Sequence, residues 1–297
     1  MTPTRAPAAG WNRWLALVPY GFLAPFLLGF AVFWVWPILY SLYLSFADWT
    51  GGVTTWVGTK NYERLLADPI FRQALRNTLL ILGVQVPFMI TLALLLALGL
   101  NSTLLRFRGL YRFGFFAPLV VGTVSYAAIF RLIFNDQFGV LNAGLRAAGL
   151  DPVAWLFTPG PAQVVIIIGL TWRWTGYNAI ILLAGLQTIS RDLYEASAID
   201  GATGWRQTWH ITLPLLRPAI LFCVVLSVIG TMQLFTEPAI LTAGGPANAT
   251  LTLGLYLYRR AFQSADFGYA SAIAYAVALI TIVFSLIQFR LLQGARN

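Results

Sequence analysis

Residues 190–202 read SRDLYEASAIDGA and differ from every other polar segment of the chain. Ser190 can accept a hydrogen bond from a free amide at a helix start, where early acidic residues also interact favourably with the helix dipole. Gly201 can adopt the left-handed conformation that commonly ends a helix. The pattern predicts a short helix with Leu193 and Ala196 on a small, apolar face of the kind that inserts into a partner's groove.

A second short helix is predicted directly after the first. Thr203 can cap it, and it would cover residues 204–210 before the sequence ITLP at 211–214. Because proline lacks an amide hydrogen, Pro214 is expected to end this helix before Arg217 and Pro218 open the next apolar run. The loop 190–214 is therefore interpreted as two small helices beside a membrane, although a plain solvated connector has the same composition.

The chain on both sides of this loop is strongly apolar. Hydrophobic residues make up 59% of the 297 positions and charged residues 10%, whereas soluble domains contain about 25% charged residues. A helix needs about 20 apolar residues to cross a membrane. The sequence predicts an all-α integral membrane protein with six transmembrane helices at 15–46, 78–100, 113–133, 162–186, 219–241 and 269–289.

The ends of the chain set the expected orientation. We interpret residues 15–292 as one membrane domain between an N-terminal segment, 1–14, and a tail, 293–297. Arginines are denser in the connecting segments that lie inside if both termini are cytoplasmic, as the positive-inside rule requires. The first run contains Pro19, Pro25 and Pro37, so it is expected to be kinked or partly interfacial; it lacks the features of a cleaved signal peptide.

The polar residues exclude several kinds of catalytic site. A nucleotide-binding P-loop needs a glycine-rich turn and a lysine followed by serine or threonine, but Lys60, the only lysine, is followed by Asn61. His210 and Cys223 are the only histidine and the only cysteine, too few for a metal centre or His-based nucleophilic catalysis. No catalytic or metal-binding residue is predicted, and the scattered net charge of +9 does not indicate nucleic acid binding.

Polar and aromatic groups gather in the middle of the fourth run. An unpaired arginine at the centre of a membrane helix costs about 2.5 to 3.5 kcal/mol, so Arg173 must be compensated. Aromatic, amide and hydroxyl groups suit a cavity for a sugar, while Arg173 would equally attract a phosphate or a carboxylate. Pairing of Arg173 across a helix interface, with the tryptophans as packing residues, is the alternative. The candidates are Trp172, Arg173, Trp174, Thr175, Gly176, Tyr177 and Asn178.

The fifth run carries two polar pairs. Ser227 and Thr231 are four residues apart, as are Gln233 and Glu237, and residues at this spacing share one face of a helix. We expect Thr231, Gln233 and Glu237 either to line the same cavity or to form hydrogen bonds between helices.

The loop also matches a known motif. Its Glu195-Ala196-Ser197, Asp200-Gly201 and ITLP at 211–214 have the spacing of the EAA loop, and the chain resembles the permease subunits of binding-protein-dependent ABC importers. Ser197 stands where the motif usually has a second alanine. In that family the loop forms a coupling helix that docks into the ATPase, which implies contact roles for Glu195, Ala196, Ser197, Asp200, Gly201 and Ala202.

Other features resemble the carbohydrate-uptake branch of that family, which includes maltose, oligosaccharide and glycerol-3-phosphate permeases. They are Asn77-Thr78, the segment 135–142, TAGGP at 242–246 with Thr250, and GYASA at 268–272. The resemblance implies a type I ABC importer permease fold in a bacterial inner membrane. It also implies a sugar or sugar-like solute, with glycerol-3-phosphate or another anionic polyol derivative as the alternative.

The resemblance further implies an assembly. The expected partners are a second, similar permease, two cytoplasmic ATPase subunits and an extracytoplasmic solute-binding protein, with ATP and magnesium bound by the ATPase subunits and no cofactor bound by this chain. Two other classes stay open. A secondary transporter would carry its own ion-coupling groups within the membrane, and a membrane scaffold would not need a polar cavity.

Overall fold

A computed structural model describes residues 9–50, 52–102 and 105–294, with side chains for 18–49, 52–102 and 105–290. The start of the predicted N-terminal segment and the end of the predicted tail lie outside the described residues. The elements in chain order are α1 Ala9–Phe30, a π-helical turn Ala31–Val35, α2 Trp36–Ser45, β1 Ala47–Thr50, β2 Val53–Trp56, α3 Lys60–Ala67, α4 Pro69–Asn101, α5 Arg108–Val120, α6 Thr123–Ile133, α7 Val140–Ala147, α8 Pro159–Gln187, α9 Arg191–Ile199, α10 Gly204–Gln207, a π-helical turn Thr208–Thr212, α11 Leu213–Met232, α12 Thr236–Leu241, α13 Leu253–Tyr258, a π-helical turn Arg259–Gln263 and α14 Phe267–Gly294.

Some of these helices, alone or joined end to end, are long and apolar enough to cross a membrane. Among the described residues, five stretches qualify: Val18–Ser45, Pro69–Asn101, Pro159–Gln187, Gly204–Met232 and Phe267–Arg290. The pair α5 and α6 makes a sixth if it counts as one span. The predicted helical membrane fold is therefore confirmed, with one short antiparallel hairpin of β1 and β2 that was not predicted. The predicted number of six depends on the bent pair.

We expected the third span to be one helix. It consists instead of two helices that meet at 95°. α5 ends at Val120 and α6 begins at Thr123, with Val121 and Gly122 in extended conformations between them. Pro118 lies in the last turn of α5, where it removes one backbone donor. A break of this kind leaves carbonyl groups unpaired, and membrane proteins tolerate it only where protein or water supplies donors.

The fifth predicted span was placed too far along the chain. The helical stretch Gly204–Met232 does not stop at Pro214, so the prediction of a second small helix separated from the span is wrong. A π-helical turn lies just before this proline, and in it the amide of Leu213 bonds to the carbonyl of Thr208. The shifted register continues into α11, in which Pro214 occupies the first turn, a position that needs no backbone donor.

The same span ends earlier than predicted, at Met232, and another segment packs against the chain just after it. Thr252 Oγ1 donates to the carbonyl of Leu234 at 2.5 Å. Gly254 packs so closely that a Cβ there would lie 2.8 Å from the carbonyl oxygen of Gln233. Glu237 consequently belongs to the separate helix α12, and the prediction that it shares one helix face with Gln233 is wrong.

The loop after α12 is held against α4. Asn77 Nδ2 donates to the carbonyls of Asn248 at 2.7 Å and Leu251 at 3.0 Å. The hydroxyl of Thr78 accepts from the amide of Leu253 at 3.0 Å. The motif residues Asn77 and Thr78 therefore lie inside α4 and fix the chain that leads away from α12.

Asp68 joins the start of α4 to α13 and α14. Its carboxylate accepts from the amide of Ile70 at 2.8 Å and from the hydroxyls of Tyr256 and Tyr269. Burial alone would raise the pKa of Asp68, but these hydrogen bonds to the charged form hold the pKa below its ordinary value. The carboxylate thus acts as a capping group shared by three helices.

Candidate functional site

A cavity of about 270 Å³ lies among α4, α8, α11 and α12. It gathers polar groups that are distant in the sequence. Of the predicted pathway residues, six line it: Arg173, Tyr177, Asn178, Thr231, Gln233 and Glu237. Trp174, also singled out in the fourth run, faces it beside them.

The other three predicted pathway residues lie outside the cavity lining. Trp172 packs against the rings of Tyr126 and Phe130, with centroids 6.0 and 5.3 Å away. Thr175 donates its hydroxyl to the carbonyl of Thr171 at 2.6 Å. Gly176 faces α5, where a Cβ would lie only 1.7 Å from the carbonyl oxygen of Phe115. Their contacts are those of helix packing.

Arg173 bridges the break between α5 and α6. One terminal nitrogen donates to the carbonyl of Val121 at 2.7 Å and the other to Thr123 Oγ1 at 3.0 Å. The guanidinium carbon lies 4.8 Å from the ring centre of Tyr126, within the range of a cation–π interaction. Arg173 is only 8% exposed, and its fork supplies donors that the bent span lacks, which matches the interhelical alternative for this residue.

Glu237 is the acidic residue of the cavity lining. It lies in the first turn of α12 and is 5% exposed. Tyr126 donates its hydroxyl to Glu237 Oε1 at 2.5 Å. Because the ring of the same tyrosine lies beside the guanidinium of Arg173, Tyr126 connects the cation and the carboxylate.

Sequence reasoning missed two cavity residues on α4. Gln85 and Met89 both line the cavity, and Gln85 Nε2 donates to the sulphur of Met89 at 3.2 Å. Gln85 is 3% exposed. The signal was present, because this glutamine is the only amide within the apolar core of its span, and polar residues at membrane depth usually face a cavity or another helix.

The segment 190–202 folds as predicted into a capped helix, α9. Ser190 Oγ accepts from the amide of Asp192 at 3.2 Å, and Gly201 has a φ of +79°. The amide of Ala202 returns to the carbonyl of Ser197 at 2.9 Å. Thr203 occupies the cap position of α10 without a side-chain hydrogen bond, so its predicted capping is wrong.

A set of side-chain hydrogen bonds holds α9 against the start of the fifth span. Gln207 Nε2 donates to the carbonyl of Tyr194 at 3.1 Å and to Ser197 Oγ at 3.0 Å. The hydroxyls of Tyr194 and Thr212 lie 2.9 Å apart. α9 is therefore tied to the helix that leads into α11 and does not hang freely from it.

The outer face of α9 is exposed in the part of the chain that the structure describes. Ile199 is 88% exposed and Leu193 46% exposed, and none of the residues of α9 is buried. Glu195 and Asp200 are exposed as well, and no described residue forms a hydrogen bond or ion pair with either carboxylate. A surface that combines exposed apolar groups with unpaired charges is typical of a protein–protein contact.

The cavity and α9 are directly linked by the chain. α8 carries Arg173 and Asn178, α11 carries Thr231, and the loop with α9 is the only covalent connection between these two helices. Displacement of α9 would therefore act on both of these walls of the cavity.

Comparisons with known proteins agree along almost the whole chain. A model of the family described as "Binding-protein-dependent transport system inner membrane component" matches residues 65–297. The lactose transport system permease protein of Rhizobium radiobacter is 46% identical over 283 residues, which cover 94% of this chain and 93% of that protein. The arabinooligosaccharides transport system permease protein of Bacillus subtilis (strain 168) is 35% identical over 97% of this chain and 94% of its own length.

The fold is also found in a solved structure. A chain of the bacterial alginate ABC transporter, in complex with an alginate pentasaccharide-bound periplasmic protein, matches with a TM-score of 0.82 and 25% identity, covering 94% of this chain and 95% of that one.

Proposed function

The chain belongs to the family of binding-protein-dependent transport system inner membrane components, and from this premise we propose that it carries a sugar or oligosaccharide, driven by ATP hydrolysis in separate subunits. Membership confirms the resemblance drawn from the loop at 190–214. The chain is a transport permease component and not the catalytic subunit of its system.

The observation that carries the proposal is the link between α9 and the cavity. We take α9 as the coupling helix, with Glu195, Ala196, Ser197, Asp200, Gly201 and Ala202 at or beside the contact with an ATPase subunit. Since Gln207 and Thr212 brace α9, a movement of the ATPase would be passed to α8 and α11. These helices would then open the cavity to alternate sides of the membrane.

The chemistry of the cavity supports a sugar-like solute. Trp174 and Tyr177 offer aromatic faces, and Asn178 and Thr231 offer amide and hydroxyl groups, the combination that suits the apolar and hydroxylated sides of a sugar. Two relatives are named as transport permeases for lactose and for arabinooligosaccharides. At this level an anionic polyol derivative such as glycerol-3-phosphate stays an alternative because Arg173 lines the cavity.

The expected assembly has four other subunits. A second permease would cover part of the first span, whose most apolar part has no side chain buried among the described residues. Two ATPase subunits would bind ATP and magnesium. The alginate transporter is bound to a periplasmic protein, and we propose an extracytoplasmic solute-binding protein here too. We place the protein in the bacterial inner membrane with both termini and α9 in the cytoplasm.

The test reverses one charge on α9. The complex, purified with its partner subunits, is reconstituted with its binding protein, and ATPase activity and solute uptake are measured for wild type and Glu195→Arg. We expect the variant to lose binding-protein-stimulated ATPase and uptake, because truncated or mismatched charges at an interface cost about 2 to 5 kcal/mol or more. Assembly of the subunits is measured in parallel.

Glu63→Arg is the control for charge reversal, since Glu63 is an exposed carboxylate on α3, away from the loop, and accepts a hydrogen bond only from the nearby Thr59 Oγ1 among the described residues. It should leave both activities unchanged. If Glu195→Arg changes neither activity nor assembly, the coupling function is wrong. Uptake by the wild type without any ATPase subunit would indicate a secondary transporter, and no solute uptake at all would indicate a scaffold.

A further inference from the structure

The cavity lining contains one cation, Arg173, and one carboxylate, Glu237. The two groups differ in how many of their polar atoms are hydrogen-bonded to the protein. Both terminal nitrogens of Arg173 donate to groups at the break of the third span, Val121 O and Thr123 Oγ1. The carboxylate of Glu237 has only one of its oxygens engaged, by Tyr126. No described residue donates to the other oxygen, Oε2. Both terminal nitrogens of the cation thus already donate to the protein, while the carboxylate keeps an acceptor for a solute.

Two buried amides add further acceptors to the same wall. Gln85 Nε2 donates to the sulphur of Met89, and Asn178 Nδ2 donates to the carbonyl of Trp174 at 3.0 Å. The described residues place no donor on the amide oxygens of Gln85 and Asn178. Both residues line the cavity and are 3% exposed.

From these contacts we propose that the cavity selects neutral, hydroxyl-rich solutes and that Glu237 determines the discrimination against anionic ones. A sugar hydroxyl can donate to an acceptor, whereas an ionised carboxylate or phosphate has acceptor atoms only. An anion would also lose its hydration beside a buried carboxylate, which is costly because like charges at short range repel and the Arg173 fork already donates to Val121 O and Thr123 Oγ1. The inference rests on the proposed function, because it assumes that solute enters this cavity.

The test compares two probes that differ by one charge. Binding of lactose, and of the same disaccharide with the galactose C6 oxidised to a carboxylate, is measured by equilibrium dialysis. The assembled complex is used without its binding protein, so that the permease alone discriminates. Wild type is expected to prefer lactose. Glu237→Gln, which keeps an acceptor for the Tyr126 hydroxyl, should shift the ratio of the two affinities toward the anionic probe by about tenfold or more, the factor equivalent to 1.4 kcal/mol.

Three further variants make the result specific. Tyr126→Phe removes the hydrogen bond and keeps the carboxylate, so it should retain the preference for lactose even if affinity falls. Glu63→Gln removes an exposed negative charge on α3, away from the cavity, and should leave the ratio as in wild type. Arg173→Gln should weaken both probes alike, whereas a selective loss of the anionic probe would make Arg173 an anion receptor and overturn the proposal.

The outcomes separate this inference from the proposed function. A wild type that binds the anionic probe as well as lactose, or a Glu237→Gln variant with an unchanged ratio, overturns the selectivity. Binding of neither probe by a complex whose ATPase still responds to its binding protein also overturns it, because the cavity would then not be the solute site. In all these cases the coupling test with Glu195→Arg stands independently.

Discussion

The cavity wall and the exposed face of α9 hold their charged groups in opposite ways. Arg173 and Glu237 are 8% and 5% exposed, and each is hydrogen-bonded to a residue from another helix. Glu195 and Asp200 are exposed and receive no partner from the described residues. A charge buried at membrane depth must be compensated within the protein, while an exposed one remains available to another molecule. The two charges of the cavity wall are thus each compensated within this chain, whereas those on α9 are left for a partner.

This contrast predicts that substitutions in the two regions impair the protein in different ways. Changes that remove or crowd the contacts between the helices of the cavity wall should disturb folding and assembly first. Changes on the outer face of α9 should leave the folded permease intact and interrupt its communication with a partner. The predictions that follow test this division.

The largest effect is expected for Gly176→Ala, on the side of α8 that packs against α5 and not in the cavity lining. The new Cβ would lie 1.7 Å from the backbone carbonyl oxygen of Phe115, and a backbone atom cannot move aside without separating α5 from α8. Small residues permit such close helix contacts in membranes, and overpacking of this severity belongs to the changes that cost more than about 4 kcal/mol. We expect little folded complex, measured by size-exclusion profile and thermal unfolding in detergent.

Gly83→Ala is the matched control within a membrane helix. A Cβ at Gly83 would meet no atom within 4 Å, and alanine favours the helix over glycine by about 1 kcal/mol. The control should therefore unfold at the wild-type temperature or slightly above it. A Gly176→Ala protein that is as stable as this control would contradict the close contact between α5 and α8.

Arg173→Gln should have a smaller but clear effect on stability. The change removes the donors to Val121 O and Thr123 Oγ1, and a buried acceptor left without a partner costs about 1 to 3 kcal/mol. Thermal unfolding of the purified complex should shift to lower temperature in the absence of any solute. Arg173→Lys should recover part of the loss, because it restores one donor but not the fork. An unchanged unfolding temperature would mean that the break between α5 and α6 does not depend on this arginine.

The loop that contains α9 could be predicted from the sequence because its signals are local. Ser190 and Gly201 begin and end the helix within a few residues of the motif, and neither function requires knowledge of the rest of the chain. The membrane helices were also predictable as apolar runs of sufficient length. Here composition and short-range pattern carry the information.

The cavity could be predicted only in part, because distant segments shape it. Thr252 and Gly254 end the fifth span at a position that the apolar pattern does not mark, and so Glu237 reaches the cavity from a separate helix. Arg173 was recognisable as a residue that needs compensation. Its partners, Val121 and Thr123, lie beyond any local pattern, because the bend that exposes them appears in the sequence only as Pro118 and Gly122 within an apolar run.

The smallest effect is expected for Ser197→Ala, which tests where the exposed face of α9 begins. Ser197 Oγ accepts from Gln207 Nε2 and donates to the carbonyl of Tyr194 at 2.9 Å. Its loss should cost about 0.5 to 1.5 kcal/mol, the usual net contribution of one hydrogen bond, since Gln207 keeps its bond to the carbonyl of Tyr194. We expect faster hydrogen exchange in α9 and nearly unchanged uptake.

Gln207→Ala removes both of the bonds that Gln207 makes to α9 and should loosen the helix further, so that ATP consumption per solute molecule rises while assembly persists. The two variants together therefore measure how much the hydrogen bonds from Gln207 to α9 contribute to coupling. If Ser197→Ala instead abolishes binding-protein-stimulated ATPase as completely as Glu195→Arg, the partner must contact Ser197 itself. The inner side of α9 would then belong to the docking surface. The boundary between groups that are bonded within the chain and groups that await a partner would lie between α9 and α10.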